Sequence, residues 1–196
     1  EMEEKLKDIK TKLDKFKEKI LEKFDKYIMG ILVLPPEQPP QVQQPLAPAN
    51  AQPGVQPATQ QTPPPKDDKK ISVLVLVDDS DVKKMTPYEL REKLIAILDN
   101  TAREIDERIK PDPLLLGDLW QSCYDGKYDL LKLISMGAPV YDTGMLGAIK
   151  LAEIHKSMVL RKFEKYIVSY VLAGSLTQGK ATASSDVDVW IVIDDT

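Results

Sequence analysis

The chain has 196 residues, 42% of them hydrophobic, and a formal net charge of −4, which suits one or two domains. The mildly acidic balance argues against a general nucleic-acid-binding surface, and the single cysteine, Cys123, excludes an internal disulfide framework and fits a reducing, cytoplasmic compartment. No apolar run approaches the roughly 20 residues of a membrane span, so no membrane partner is expected, and the charged N-terminus carries no secretory signal. Beginning at Glu1 and closing on a strand, the sequence reads as a fragment of something longer.

Residues 1–28 read as one helix. Met2, Leu6, Ile9, Leu13, Phe16, Ile20, Phe24 and Tyr27 recur at alternating steps of four and three, the a/d spacing of a coiled-coil seam. Such a helix either packs on its own domain or joins a second copy of the chain as a short coil. MGILVL (29–34) reads as a buried strand. Residues 35–65 then hold 11 of the 15 prolines, and Glu37 is their only charge. A segment of that composition cannot build a core, so 35–68 is expected to be a disordered, polyproline-like insertion.

ISVLVLV (71–77) is a buried strand by its β-branched content. It ends in Asp78-Asp79-Ser80-Asp81, read as a solvated loop start and capping residues. Thr86-Pro87 with Glu89 has the form of an N-cap, a proline at the first helical position and a capping box, opening a helix over about 87–107. Pro111 and Pro113 break it. LLLGDLW (114–120) is ambiguous between strand and helix. DLLKLISMG (129–137) is a helix closing on a glycine cap, GAPVYDTG (137–144) a turn, 145–166 an amphipathic helix, and YIVSYVLAG (166–174) a strand.

Two segments read alike. FDKYIMGILVLPP (24–36) parallels FEKYIVSYVLAGS (163–175), and ISVLVLVDDS (71–80) parallels VDVWIVIDDT (187–196). Each copy is helix, strand, connection, strand and an acidic pair. Pro35-Pro36 stand where the second copy has Gly174-Ser175, and Lys70 and Ser72 stand where it has Asp186 and Asp188.

Those four residues carry the chemistry. Gly174 lets the backbone turn sharply and approach a ligand. Ser175 offers a hydroxyl and an N–H to a phosphate oxygen; Gly179 adds a second flexible point and Lys180 a positive charge. Asp186 and Asp188, at i and i+2 near a strand start, fall on one face. Two carboxylates side by side repel unless a hard cation such as Mg²⁺ lies between them, and Mg²⁺ keeps positions open for substrate phosphates.

Gly174-Ser175, then ten residues, then Asp186-Val187-Asp188 opening a strand resembles the signature of the polymerase-β-like nucleotidyltransferase superfamily. The fuller stretch GSLTQGKATASSDVDVWIV is similar to its archaeal and bacterial minimal domains. The resemblance implies that Gly174 and Ser175 hold the triphosphate, with Gly179 and Lys180 beside them. It implies that Asp186 and Asp188 bind Mg²⁺ or Mn²⁺, and that an NTP is the substrate. The acceptor would be a protein, an RNA or a small molecule, and the fold α/β (α+β), a small mixed sheet flanked by helices. A third carboxylate on a later strand is expected beyond Thr196, since Asp194 and Asp195 lie too far along the strand from Asp188.

The domain reading is a helix over 1–28, a degenerate nucleotidyltransferase-like copy over 29–155, and the first part of a second copy over 156–196. Asp112 and Asp118 are the acids of the degenerate copy's later half. The alternative function is a catalytically incomplete nucleotide-binding scaffold. His155 reads as a surface or packing residue, Cys123 as packing, Trp120 and Trp190 as core aromatics, and Tyr141-Asp142 as similar to a late turn of the minimal domains. A two-stranded piece is marginal alone, so 167–196 is expected to pack on the rest of the chain.

Overall fold

The computed structural model describes residues 2–36 and 70–194. From Glu37 to Asp68 the expected proline-rich insertion therefore lies outside the described residues. Among those described, the elements are α1 (Met2–Phe24), β1 (Ile28–Val33), β2 (Ile71–Val77), α2 (Pro87–Arg103), β3 (Ile109–Leu115), α3 (Leu116–Tyr124), α4 (Asp129–Met136), β4 (Ala138–Asp142), α5 (Met145–Phe163), a 3₁₀ turn (Glu164–Tyr166), β5 (Ile167–Ala173) and β6 (Asp188–Ile193). The fold is mixed α and β. One sheet has the order β3-β2-β1-β4, and β5–β6 form a separate pair. β1 runs antiparallel to β2 and β4, while β2 runs parallel to β3.

β1 and, from Val73 onward, β2 are continuous apolar runs because both faces of their sheet are covered. Val73, Val75 and Val77 of β2 join Ile28 and Ile31 of β1 in one cluster with Leu13, Phe16 and Ile20 of α1 and Leu94, Leu98 and Ala102 of α2. Leu74 and Leu76 join Met29 and Leu32 in the other, with residues of α3, α4 and α5. Ile28 and Ile31 share a face although three residues apart, because the β1–β2 register shifts between Ile28 and Gly30, placing a bulge at Met29. Thr143 fixes that bulge, donating from its N–H (3.1 Å) and its Oγ1 (2.9 Å) to the Met29 carbonyl.

The seam of α1 is buried within the chain: Phe16 and Ile20 have no exposed surface, whereas Leu6 lies open. The helix ends at Phe24 rather than at 28, where Tyr27 N–H bonds the Phe24 carbonyl and the chain enters β1. Asp106, in the turn between α2 and β3, fastens α1. It accepts from Arg108 and pairs with Lys12 Nζ at 2.9 Å. The Arg108 guanidinium, with further help from Lys12, holds the Asp106 carboxyl well below the usual range.

α2 opens as expected. Thr86 Oγ1 accepts from Glu89 N–H at 3.2 Å and Glu89 Oε2 accepts from Thr86 N–H at 2.9 Å. It ends at Arg103, short of 107. Two expectations need correction. Residues 109–115 form a strand despite Pro111 and Pro113. Arg108 C=O accepts from Ile71 N–H, which by alternation turns residues 111 and 113 away from β2. The missing N–H groups therefore face the open edge of an edge strand, where proline is tolerated. Residues 138–142 likewise form a strand rather than a turn, paired to β1 on the opposite edge. Gly137 closes α4, but in extended conformation, and its role is space: a Cβ there would strike Leu32.

Phe16→Ala should lower stability by about 3–5 kcal/mol, the usual loss for a fully buried phenylalanine. Its urea midpoint should not vary with protein concentration; a variation would place the α1 seam in an intermolecular coil instead. Asp106 is deprotonated more readily folded than unfolded, so its contribution is full above the ordinary value of 3.8 and is lost as pH falls below it. Asp106→Asn should lower the urea midpoint at pH 7 and flatten its fall below about pH 4.

Candidate functional site

The two hairpins coincide residue for residue. β1–β2 pairs Ile28 with Val77, Gly30 with Leu76, Ile31 with Val75, Leu32 with Leu74 and Val33 with Val73. β5–β6 pairs Ile167 with Ile193, Ser169 with Val192, Tyr170 with Ile191, Val171 with Trp190 and Leu172 with Val189. These are the same pairs in the repeat alignment, with the bulge at Met29 matched by one at Val168. Even the closing bonds correspond: Asp78 N–H to Tyr27 C=O and Asp194 N–H to Tyr166 C=O, both 2.8 Å.

In this register Asp188 lies directly across from Ala173, the residue before the Gly174 turn. Gly174 is left-handed (φ 75°), and a Cβ on it would collide with the Asp188 carboxylate. The glycine thus serves the close approach of turn and acid. The turn continues with Thr177 Oγ1 donating to Gly174 C=O at 3.0 Å, Gly179 N–H to Leu176 C=O at 3.1 Å, and Lys180 N–H to Ser175 C=O at 2.9 Å. Gly179 is also left-handed (φ 69°). Asp186 and Asp188 are both exposed, as is Lys180, and Ser175 is half-buried. The strand begins at Asp188, so Asp186 stands in the approach to β6 and its expected place on the strand face rests on the loop, not on the pleat.

By alternation Asp188, Trp190 and Val192 share one face of the ribbon. Leu172, which pairs with Val189, packs against the larger core, and the Tyr170 hydroxyl lies 2.8 Å from His155 Nδ1 of α5. His155 occupies the repeat position of Phe16. Burial beside the Glu153 carboxylate pushes the Tyr170 hydroxyl up. The expectation of a core Trp190 is corrected: it is 69% exposed, on the face that no described residue covers, whereas its counterpart Leu74 is 4% exposed. Trp120 packs against the larger core. Cys123 is half-buried there, its thiol pushed up by desolvation.

The strands of 167–194 borrow no edge from the larger sheet, but the connection between them packs on it. Leu176 (0% exposed) and Ala181 (5%) belong to the core cluster of Met29, Leu74, Leu76, Leu116 and α5. Gly144 meets the same loop: at φ 117° it starts α5, and a Cβ on it would strike the Thr182–Ala183 backbone. Asp142 caps this helix start, accepting from Gly144 N–H (2.8 Å), Leu146 N–H (2.9 Å) and Gly147 N–H (2.9 Å). Gly144, Leu176 and Ala181 are not singled out by the sequence; Leu176, a lone large apolar residue in a loop of small and polar ones, is the one signal there that the loop is anchored.

Asp112 and Asp118 do not join the aspartate pair. Asp112 is exposed on β3, and Asp118 is ion-paired with Arg91. Asp79 is a capping residue across space, its Oδ1 accepting from Gly117 N–H at 3.0 Å at the uncapped start of α3. Among the described residues no three His, Cys, Asp or Glu side chains gather into a group that could hold a metal. No family model, curated protein or solved structure matches the chain.

Gly174→Ala should destabilise the protein by about 1–2 kcal/mol from the left-handed backbone alone, with a further loss from the collision with Asp188. Thermal unfolding of this variant beside Gly126→Ala, a left-handed glycine with open space around it, separates the two contributions: the Gly174 variant should fall further.

Proposed function

We propose that the chain is a metal-dependent nucleotidyltransferase. It moves a nucleoside monophosphate from an NTP to an acceptor hydroxyl on a protein, an RNA or a small molecule. The observation that carries this reading is the apposition of a left-handed Gly174 turn to the Asp188 carboxylate across an antiparallel pair, with Asp186 exposed two residues earlier. It has the residue order of the polymerase-β-like signature.

The donor set suits a hard divalent ion. Two carboxylates supply oxygen ligands, and Gly174, having no Cβ, lets the Asp188 carboxylate lie against the turn; Mg²⁺ or Mn²⁺ takes its remaining ligands from water and phosphate oxygens. Asp186 and Asp188 would hold the ion, which when bound would offset charge on the transferring phosphoryl group. Ser175 would donate from its hydroxyl and N–H to the triphosphate, and Lys180, midway along the loop, would add positive charge. In the transfer the acceptor oxygen bonds to the α-phosphorus, the bond from that phosphorus to the bridging oxygen breaks, and pyrophosphate leaves. The hydroxyl proton goes to a carboxylate, the role that the family resemblance gives a third acid.

One observation favours a second reading. In the first copy Lys70 and Ser72 stand where the second has Asp186 and Asp188, so one copy lacks the acids altogether, as befits a nucleotide-binding scaffold that does not turn over. Incubation with α-labelled NTPs and Mg²⁺ distinguishes them. The enzyme should transfer label to protein, RNA or a small acceptor, and Asp186→Asn/Asp188→Asn should abolish the transfer. Metal-dependent NTP binding without transfer, lost in the same variant, supports the scaffold. Neither binding nor transfer overturns both.

A further inference from the structure

We propose that the four-stranded unit is the seat of the Gly174–Val187 loop, and that Leu176, Ala181 and Gly144 are positioning residues for triphosphate binding. This rests on the nucleotidyltransferase reading of that loop. In the repeat alignment Ser72, Leu74 and Leu76 hold the places of Asp188, Trp190 and Val192, so the Leu74/Leu76 face is the counterpart of the ribbon face that carries Asp188. In the first copy this face holds no acid and is covered by apolar side chains. Two of the residues in that covering cluster, Leu176 and Ala181, come from the second copy's own loop. The counterpart of the acidic face is thus an apolar socket, and the ligand-binding loop of the other copy helps α3, α4 and α5 to fill it.

The attachment brackets the residues that would meet phosphate. Leu176 follows Ser175 directly, and Ala181 follows Lys180 directly. Each buried anchor therefore fixes the backbone of a proposed phosphate contact next to it. Between them Gly179 lies against Leu116 of α3 and Met29 of β1, where a Cβ would come within 2.6 Å of Leu116 Cδ2. Beyond Ala181 the Thr182–Ala183 backbone rests on Gly144. Thr182 and Ser185 close this arm, Ser185 N–H donating to Thr182 C=O at 3.0 Å and Thr182 N–H to Ser185 Oγ at 2.9 Å. A loop rich in Gly, Thr and Ser would sample many conformations by itself. Held at three points by a packed core, it meets its ligand with that entropy already lost.

The test uses the full chain, a fluorescent ATP analogue with Mg²⁺, and amide hydrogen exchange. Gly144→Ala, which meets the Thr182–Ala183 backbone and is not itself a proposed ligand contact, should weaken binding about tenfold. It should speed exchange in 174–187 while leaving β1 and β2 protected. Leu176→Ala should do the same, and Leu176→Met, which keeps the side-chain volume, should restore binding. Where turnover is measurable, KM for the NTP should rise more than kcat falls. Faster loop exchange with unchanged binding overturns the positioning role and leaves the nucleotidyltransferase reading standing. Wild-type protein that binds no NTP overturns both. If Gly144→Ala also loosens β1 and β2, the Leu176→Ala and Leu176→Met pair decides on the same readouts.

Discussion

The β1–β2 pair is apolar on both faces, and that constraint shapes the molecule. A sheet of this kind is stable only between two layers. α1 and α2 make one layer, packing Phe16, Ile20 and Leu98 against the Val73/Val75/Val77 face. The other layer is assembled from α3, α4, the first half of α5 and a loop that belongs to the β5–β6 hairpin. The second hairpin is therefore not appended to a finished unit. Its connection completes the core of that unit, while its strands keep one face open.

α5 shows the same economy. Its N-terminal half buries Met145, Leu146, Ile149 and Ala152 against the larger sheet. Its C-terminal half takes the place before β5 that α1 takes before β1. At the point where α1 places Phe16, α5 places His155, hydrogen-bonded to a tyrosine rather than packed in an apolar core. A long helix thus serves two sheets, and the apposition of Gly174 to Asp188 inherits its position from both.

Much of this was legible in the residues. The strand 71–77, the capping box at Thr86 and the parallel between the two hairpins follow from periodicity, local capping chemistry and alignment, and all are local in sequence. What was missed depends on partners. β3 was hidden by Pro111 and Pro113, which are acceptable only because their nitrogens face an edge. β4 was hidden by a glycine that makes room for Leu32 rather than a turn. Trp190 misled because an alternating apolar strand implies burial without saying what lies over it. At the candidate site, spacing brought out Gly174, Ser175, Asp186 and Asp188. Only the pairing of Ala173 with Asp188 shows that turn and acid touch. The function of Gly144, distant in sequence, had no signal short of the packed loop.

The shared bulge gives the two hairpins one more property. Because Met29 and Val168 occupy the same place in identical registers, β1 is shaped to accept β6 as well as β2, and β5 to accept β2 as well as β6. Two hairpins of one register with interchangeable strands are prone to mispairing during folding. The connections bias the outcome: the loop closing β5–β6 is shorter than the one closing β1–β2, so its strands meet at a lower entropic cost. A β5–β6 pair that closed first would remove the competitor for β1 and β2.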